Sequence, residues 1–336
     1  MRLHGLDIAR FLAFCGMVLV NFRIAAKVTP GTDTASLLTN ALEGRAAALF
    51  VVLAGIGLSL GRPDRAAIFR RALFLFAVGL LNLTIFEADI LHFYALYFLL
   101  ALPFLTASSG ALLRTAAAVV LIGFISLLAL NYEVHWTWET LEYTDFWTVE
   151  GFLRHSFFNG WHPVFPWAAF LFIGMWAGRL PLSSRRTQAH LVFWGTAAAG
   201  LGVLPGLFNP NPELAELLGT SSIPPGPFYV IAAAGSALAV TGLVLAITPA
   251  LNKIGLAKGL AAPGRQALSL YAAHILLGMG MLETMGQLDG SLSTSGVFVY
   301  SLGFCAFSMV LVWLWNIFAK HGPLEALMRW TTRFPR

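Results

Sequence analysis

At 336 residues, with 58% hydrophobic and only 11% charged side chains, this chain is far from a soluble globular domain, in which charges make up about 25%. That balance excludes a soluble enzyme and a disordered segment, and leaves an all-α polytopic membrane protein. The formal net charge of +5 is explained by loops facing an anionic leaflet, so no nucleic-acid partner is needed.

Candidate spans of roughly 17 to 25 mostly apolar residues run near 8–26, 46–61, 69–85, 90–106, 111–131, 163–180, 189–208, 226–249, 266–284 and 296–319, about ten in all. With these spans, Arg62, Arg65, Arg70, Arg71, Arg179, Arg185, Arg186, Lys320 and Arg329 share one side, which the positive-inside rule makes cytoplasmic. Both termini then lie inside, and the expected location is a cell inner membrane. Asp33, Glu87, Asp89, Glu139, Glu213 and Glu216 collect on the opposite side, although acids weigh little in that rule. Arg2 and Arg10 before an apolar stretch ending in Ala25-Ala26 imitate a signal peptide, but the many spans that follow favour a first transmembrane helix. Cys15 and Cys305 sit alone in separate spans, so we expect packing residues, with no disulfide framework and no metal. Residues 1–336 read as one transmembrane domain without internal repeats.

The first span carries Asp7 and Arg10, three apart and able to pair, with Asn21 about 16 Å further along the helix. Ionisable groups in a membrane helix are costly, so this helix is expected to line a site. An interfacial ion pair with a snorkelling arginine, plus an amide bonded to another helix, is the other reading. Glu43 and Arg45 head the second span and either pair with each other or face a substrate.

The stretch Phe86-Glu87-Ala88-Asp89-Ile90-Leu91-His92-Phe93-Tyr94 opens the fourth span. Asp89 and His92 lie on one helical face, where the carboxylate can orient the imidazole as a general base. Asp89 also suits an N-cap, with His92 an interfacial hydrogen-bonder. Segment 132–162 is acidic and aromatic, with Tyr132, Trp136, Trp138, Tyr143, Phe146 and Trp147, and is expected to form an interfacial belt rather than a sugar platform. His162 precedes Pro163 at a helix start, as a capping or a site residue. Tyr271 and His274 share a face near mid-membrane, where a histidine marks either a cavity or a buried structural bond. Residues near 322–333 set Leu324, Leu327 and Met328 opposite basic side chains, as an interfacial helix does.

Several of these stretches carry a resemblance. Leu6-Asp7-Ile8-Ala9-Arg10 with Val20-Asn21-Phe22 resembles the first helix of the heparan-α-glucosaminide N-acetyltransferase family and its bacterial relatives. Asn159-Gly160-Trp161-His162-Pro163 with Phe170-Leu171-Phe172-Ile173-Gly174-Met175-Trp176-Ala177-Gly178-Arg179 resembles a later helix of the same family. Gly264-Arg265-Gln266-Ala267-Leu268 and the C-terminal tail are similar to uncharacterised bacterial inner-membrane relatives. The resemblance implies a membrane acyltransferase taking an acyl group, acetyl by analogy, from acyl-CoA to a sugar or related acceptor across the membrane.

Asn21 matches the family's active-site asparagine, but the histidine expected eleven positions later is Thr32, and no histidine lies between Asn21 and His92. An amide carries no titratable base. The base is therefore expected from His92 oriented by Asp89, with His162 next in line. Arg10 and Arg265 are candidates for donor phosphates, and Glu43, Arg45 and His274 for substrate contacts. Membrane lipids are expected partners, and a homo-oligomer is left open. Two other classes fit the same residues: a carrier or flippase lined by Arg10, Asn21 and His274, and a scaffold that has lost its chemistry.

Overall fold

The computed structural model describes residues 3–61, 64–209, 211, 214 and 217–332. Arg2, Arg62, Glu213, Glu216 and Arg333 lie outside them. The described residues are mostly helical with almost no strand, and eight helices are long and apolar enough to cross a membrane. Two shorter apolar helices, Leu91–Phe104 and Val164–Ala177, fall where the fourth and sixth spans were expected. The protein is therefore an all-α, multi-pass membrane protein. The chain divides into two compact units: Met1–Phe50, Leu182–Val192 and Ala239–Arg336 form unit 1, and Val51–Pro181 and Phe193–Leu238 form unit 2.

Unit 1 is built round α1 (His4–Ala25), which is buried along most of its length. Against it pack α2 (Thr34–Leu42) and, further along the chain, residues 257–264, 267–279 and 294–318. The chain turns through Gly44, at φ 66°, between α2 and α3 (Arg45–Gly61). α2 itself packs back against the end of α1, where Glu43 Oε2 accepts from the buried Arg23 at 2.6 Å and Asn40 Oδ1 accepts from the same guanidinium. The carboxylate of Glu43 thus bonds Arg23, a partner that neither reading of the sequence named. Asp33 caps α2 and accepts from Thr294 Oγ1 at 2.9 Å, tying α2 to residues 294–318.

Unit 2 contains α4 (Arg65–Leu83), α5 (Leu91–Ala101), α6 (Ser109–Ala129), α7 (Val149–Arg154) and α8 (Val164–Ala177). α6 packs on α8 and α4 on α5. Small residues set these approaches, as expected where lipid supplies no hydrophobic drive between helices. A side chain at Gly174 would overlap the backbone of Val52, and one at Gly79 that of His92. Segment 132–162 is a folded cap: β1 (Trp136–Thr137) pairs antiparallel with β2 (Glu142–Tyr143), and α7 runs into a π turn, His155–Asn159. Asn159 holds the cap together, its amide donating to the carbonyls of Tyr132 and Val134 while its Oδ1 accepts from Tyr143. Trp136, Tyr143 and Phe146 are buried in this cap and Trp147 alone of the expected belt is strongly exposed, at 69%. The aromatics mainly form a small core, because the segment folds on itself.

α9 (Arg185–Leu207) and α10 (Pro227–Lys253) each contribute to both units. The rest of unit 1 comprises α11 (Ala257–Gly264), α12 (Ala267–Ala273), a π turn His274–Met279, α13 (Gly280–Thr284), α14 (Thr294–Phe318) and α15 (Pro323–Thr332). Gly264 lies so close to α1 that a Cβ would overlap the carbonyl of Asp7. α15, the amphipathic tail helix, is latched by Glu325, which accepts from Leu268 N at 2.8 Å, Ser269 N at 3.1 Å and the Ser269 hydroxyl. Glu325→Ala strands those donors and is expected to cost about 1–3 kcal/mol, seen as a lower unfolding midpoint in detergent and faster tryptic loss of the tail. An unchanged midpoint and an uncut tail would show that the latch bears no load.

Candidate functional site

In unit 1, α1 and the π turn meet at Asn21. Asn21 Nδ2 lies 3.0 Å from His274 Nε2, although 253 positions separate the two. His274 Nδ1 faces the carbonyl of Tyr271, so that nitrogen must carry the proton. The Nε2 lone pair is left to accept from the Asn21 amide. A backbone carbonyl thereby selects the tautomer in which Nε2 is the basic atom.

His274 is fully buried and walled by Phe14 and Phe22, each with its ring centre 6.1 Å away, and by Tyr271 at 4.8 Å. It opens a π turn, a widened helical turn frequent at functional sites. At the other end of α1, Arg10 donates to the buried Asp7 at 2.7 Å. Arg265 is exposed at the end of α11. Arg45 opens α3, and Glu43 sits beside Arg23.

Unit 2 holds a second set. Asp89, fully buried, accepts from Leu91 N at 2.7 Å, His92 N at 3.3 Å and the Asn82 amide at 3.2 Å, while His92 Nδ1 lies 3.4 Å from it. Asp89 therefore accepts from the first turn of α5 and also faces the imidazole. His162 stacks edge-on against Trp167 at 4.5 Å, and its carbonyl accepts from Tyr97 at 2.5 Å. His155, which nothing in the sequence singled out, lies 5.8 Å from His92 ring to ring. Glu87 accepts from Tyr143 N at 3.2 Å, pinning the hairpin to the turn between α4 and α5, and burial raises its carboxyl pKa. Among the described residues no group of three His, Cys, Asp or Glu side chains is arranged to hold a metal ion.

The catalytic family model for heparan-alpha-glucosaminide N-acetyltransferase matches residues 2–203, more than half the chain. The chain belongs to that family. A second model, described as a protein of unknown function (DUF418), matches residues 167–335, so the two overlap within 167–203. No curated protein matches the chain. Asn21, Asp89, His92, His155 and His162 all lie in the acetyltransferase match, whereas His274 and Glu325 lie beyond it in the second. In this family member the histidine beside Asn21 thus comes from the far end of the chain. Thr32, at the position where the resemblance calls for a histidine, is in the loop before α2.

The cap histidines give a pH dependence. Burial, then the neighbouring His92 and His162, holds His155 well below the usual histidine range. His162 is pushed down to about 3 by burial and then by His92. Both are neutral in the folded protein at pH 7. The unfolded chain takes up those protons near pH 6.5, so stability is full above that value and falls as the pH drops toward 3, by up to about 1.4 kcal/mol per unit for each histidine. Unfolding midpoints in detergent are expected to fall between about pH 7 and pH 5, and less steeply in His155→Phe. A flat profile would contradict neutral burial.

Proposed function

We propose that the chain is an acyl-CoA-dependent acyltransferase of the inner membrane, in which Asn21 and His274 act on an acetyl group and an outward-facing hydroxyl or amine acceptor. The family supplies the reaction class, and the 3.0 Å contact between an amide and an imidazole of fixed tautomer supports this choice of residues. His274 Nε2 takes the proton of the acceptor as its oxygen or nitrogen attacks the thioester carbonyl. The Asn21 N–H, which the incoming acceptor displaces from Nε2, donates to the oxyanion that develops. Collapse breaks the carbon–sulfur bond, and coenzyme A thiolate leaves with the proton held on His274. Arg10, beside Asp7 at the opposite end of α1, is the proposed contact for donor phosphates.

Purified protein given labelled acetyl-CoA tests this reading, with water and a panel of amino sugars as acceptors. Transfer or hydrolysis that disappears in His274→Ala is the expected result. Uptake of a sugar into proteoliposomes without any donor, and no acyl turnover, would favour a carrier instead.

A further inference from the structure

Unit 2 buries an unusual number of polar atoms without partners. His92 Nε2, His155 Nδ1, Ser156 Oγ, Trp161 Nε1, His162 Nδ1 and Trp167 Nε1 are each buried with no hydrogen-bond partner. Leaving one such group unmatched costs about 1–3 kcal/mol, and more than about 90% of buried polar groups are matched in native proteins. These six are neighbours. Phe93 touches the rings of His92, His155 and His162 at 3.9, 5.4 and 5.8 Å, His162 meets Trp167 at 4.5 Å, and Trp136 lies 5.5 Å from Trp161 and 6.1 Å from His155. So many unmatched groups in one aromatic cluster call for something polar to pair with them.

We propose that this cluster in unit 2 is a binding site for an uncharged polyhydroxylated ring, a neutral sugar or a cyclitol. The indole N–H groups can only donate, the hydroxyl of Ser156 does either, and a neutral imidazole nitrogen accepts or donates according to its tautomer. Asp89 fixes one tautomer: with His92 Nδ1 directed at its carboxylate, Nε2 is an acceptor. Mixed donors and acceptors in one cluster match the hydroxyls of such a ring, which both donate and accept. The charge of Asp89 is engaged by Leu91, His92 and Asn82, and the nearby Arg154 is paired with Asp145, so a charged ligand would have to compete with these pairs on burial.

Saturation-transfer NMR on the full chain in detergent, without acyl donor, tests the site with methyl glucoside and myo-inositol as probes. One or both are expected to bind. Trp161→Phe and Trp167→Phe, which keep an aromatic ring and lose the N–H, are expected to weaken binding about fivefold to tenfold each. Glucuronate is expected to bind at least about tenfold more weakly than the glucoside. Unfolding midpoints check that the variants remain folded. No binding of either neutral probe, meaning ordered water alone fills the site, would overturn the proposal, as would equal binding by the two indole variants or by glucuronate. Because no donor is present, failure here leaves the acyltransfer reading standing.

Discussion

His274→Ala is expected to lower acyl transfer by about 10²–10⁴-fold, the usual worth of a positioned general base. The loss should fall on kcat, since the imidazole meets the acceptor's proton only as the bond forms. Asn21→Ala is expected to cost about 10²–10³-fold, as removal of one oxyanion donor does. In the proposed reaction the two residues serve one tetrahedral intermediate, and they share a 3.0 Å contact, so the double variant should be little worse than His274→Ala alone. Asn21→Asp offers a sharper contrast: it keeps the shape but replaces the donor with an acceptor, and should be as inactive as Asn21→Ala.

The second large effect is on stability. Asp89→Ala removes the acceptor that caps α5 and leaves the Asn82 amide and the His92 imidazole facing a void. Roughly 1 kcal/mol is expected from the cap, with about 1–3 more for each stranded donor, for a total of about 3 kcal/mol or more. Asp89→Asn retains one carbonyl oxygen and should lose about half as much. Chemical denaturation in detergent reads both, and equal midpoints for wild type and Asp89→Ala would show that α5 needs no such cap. Gly79 makes this region unforgiving, because α4 approaches the backbone of His92 too closely for any larger residue.

What the sequence made legible follows from how local each feature is. Hydropathy placed the spans because a bilayer demands long apolar helices regardless of their partners. Asp89 and His92 could be paired three residues apart on one helix, and their contact at 3.4 Å required no tertiary knowledge. Asn21 and His274 could each be placed on a span, but their meeting depends on which helices pack together. No periodicity encodes that over 253 positions. The π turn at His274 is equally silent, since its residues read as an ordinary apolar run.

The partnership of Glu43 with Arg23 was hidden for a related reason: α2 packs back against the end of α1, which brings together residues 20 positions apart. His155 was hidden by its aromatic neighbours, which looked like a membrane belt. The one available signal was a polar His155-Ser156 pair just before Phe157-Phe158-Asn159 in an otherwise apolar stretch. Cys15 and Cys305, expected as unrelated packing residues, are close enough to interact in unit 1.

The most direct test is a double-mutant cycle on Asn21 and His274 in purified, reconstituted protein, read as single-turnover loss of labelled acetyl-CoA and gain of acetylated acceptor. Each single variant should fall by at least about 100-fold, and the double variant should fall no further than the worse single. Full turnover in His274→Ala, or losses that simply multiply, would contradict a shared role for the pair.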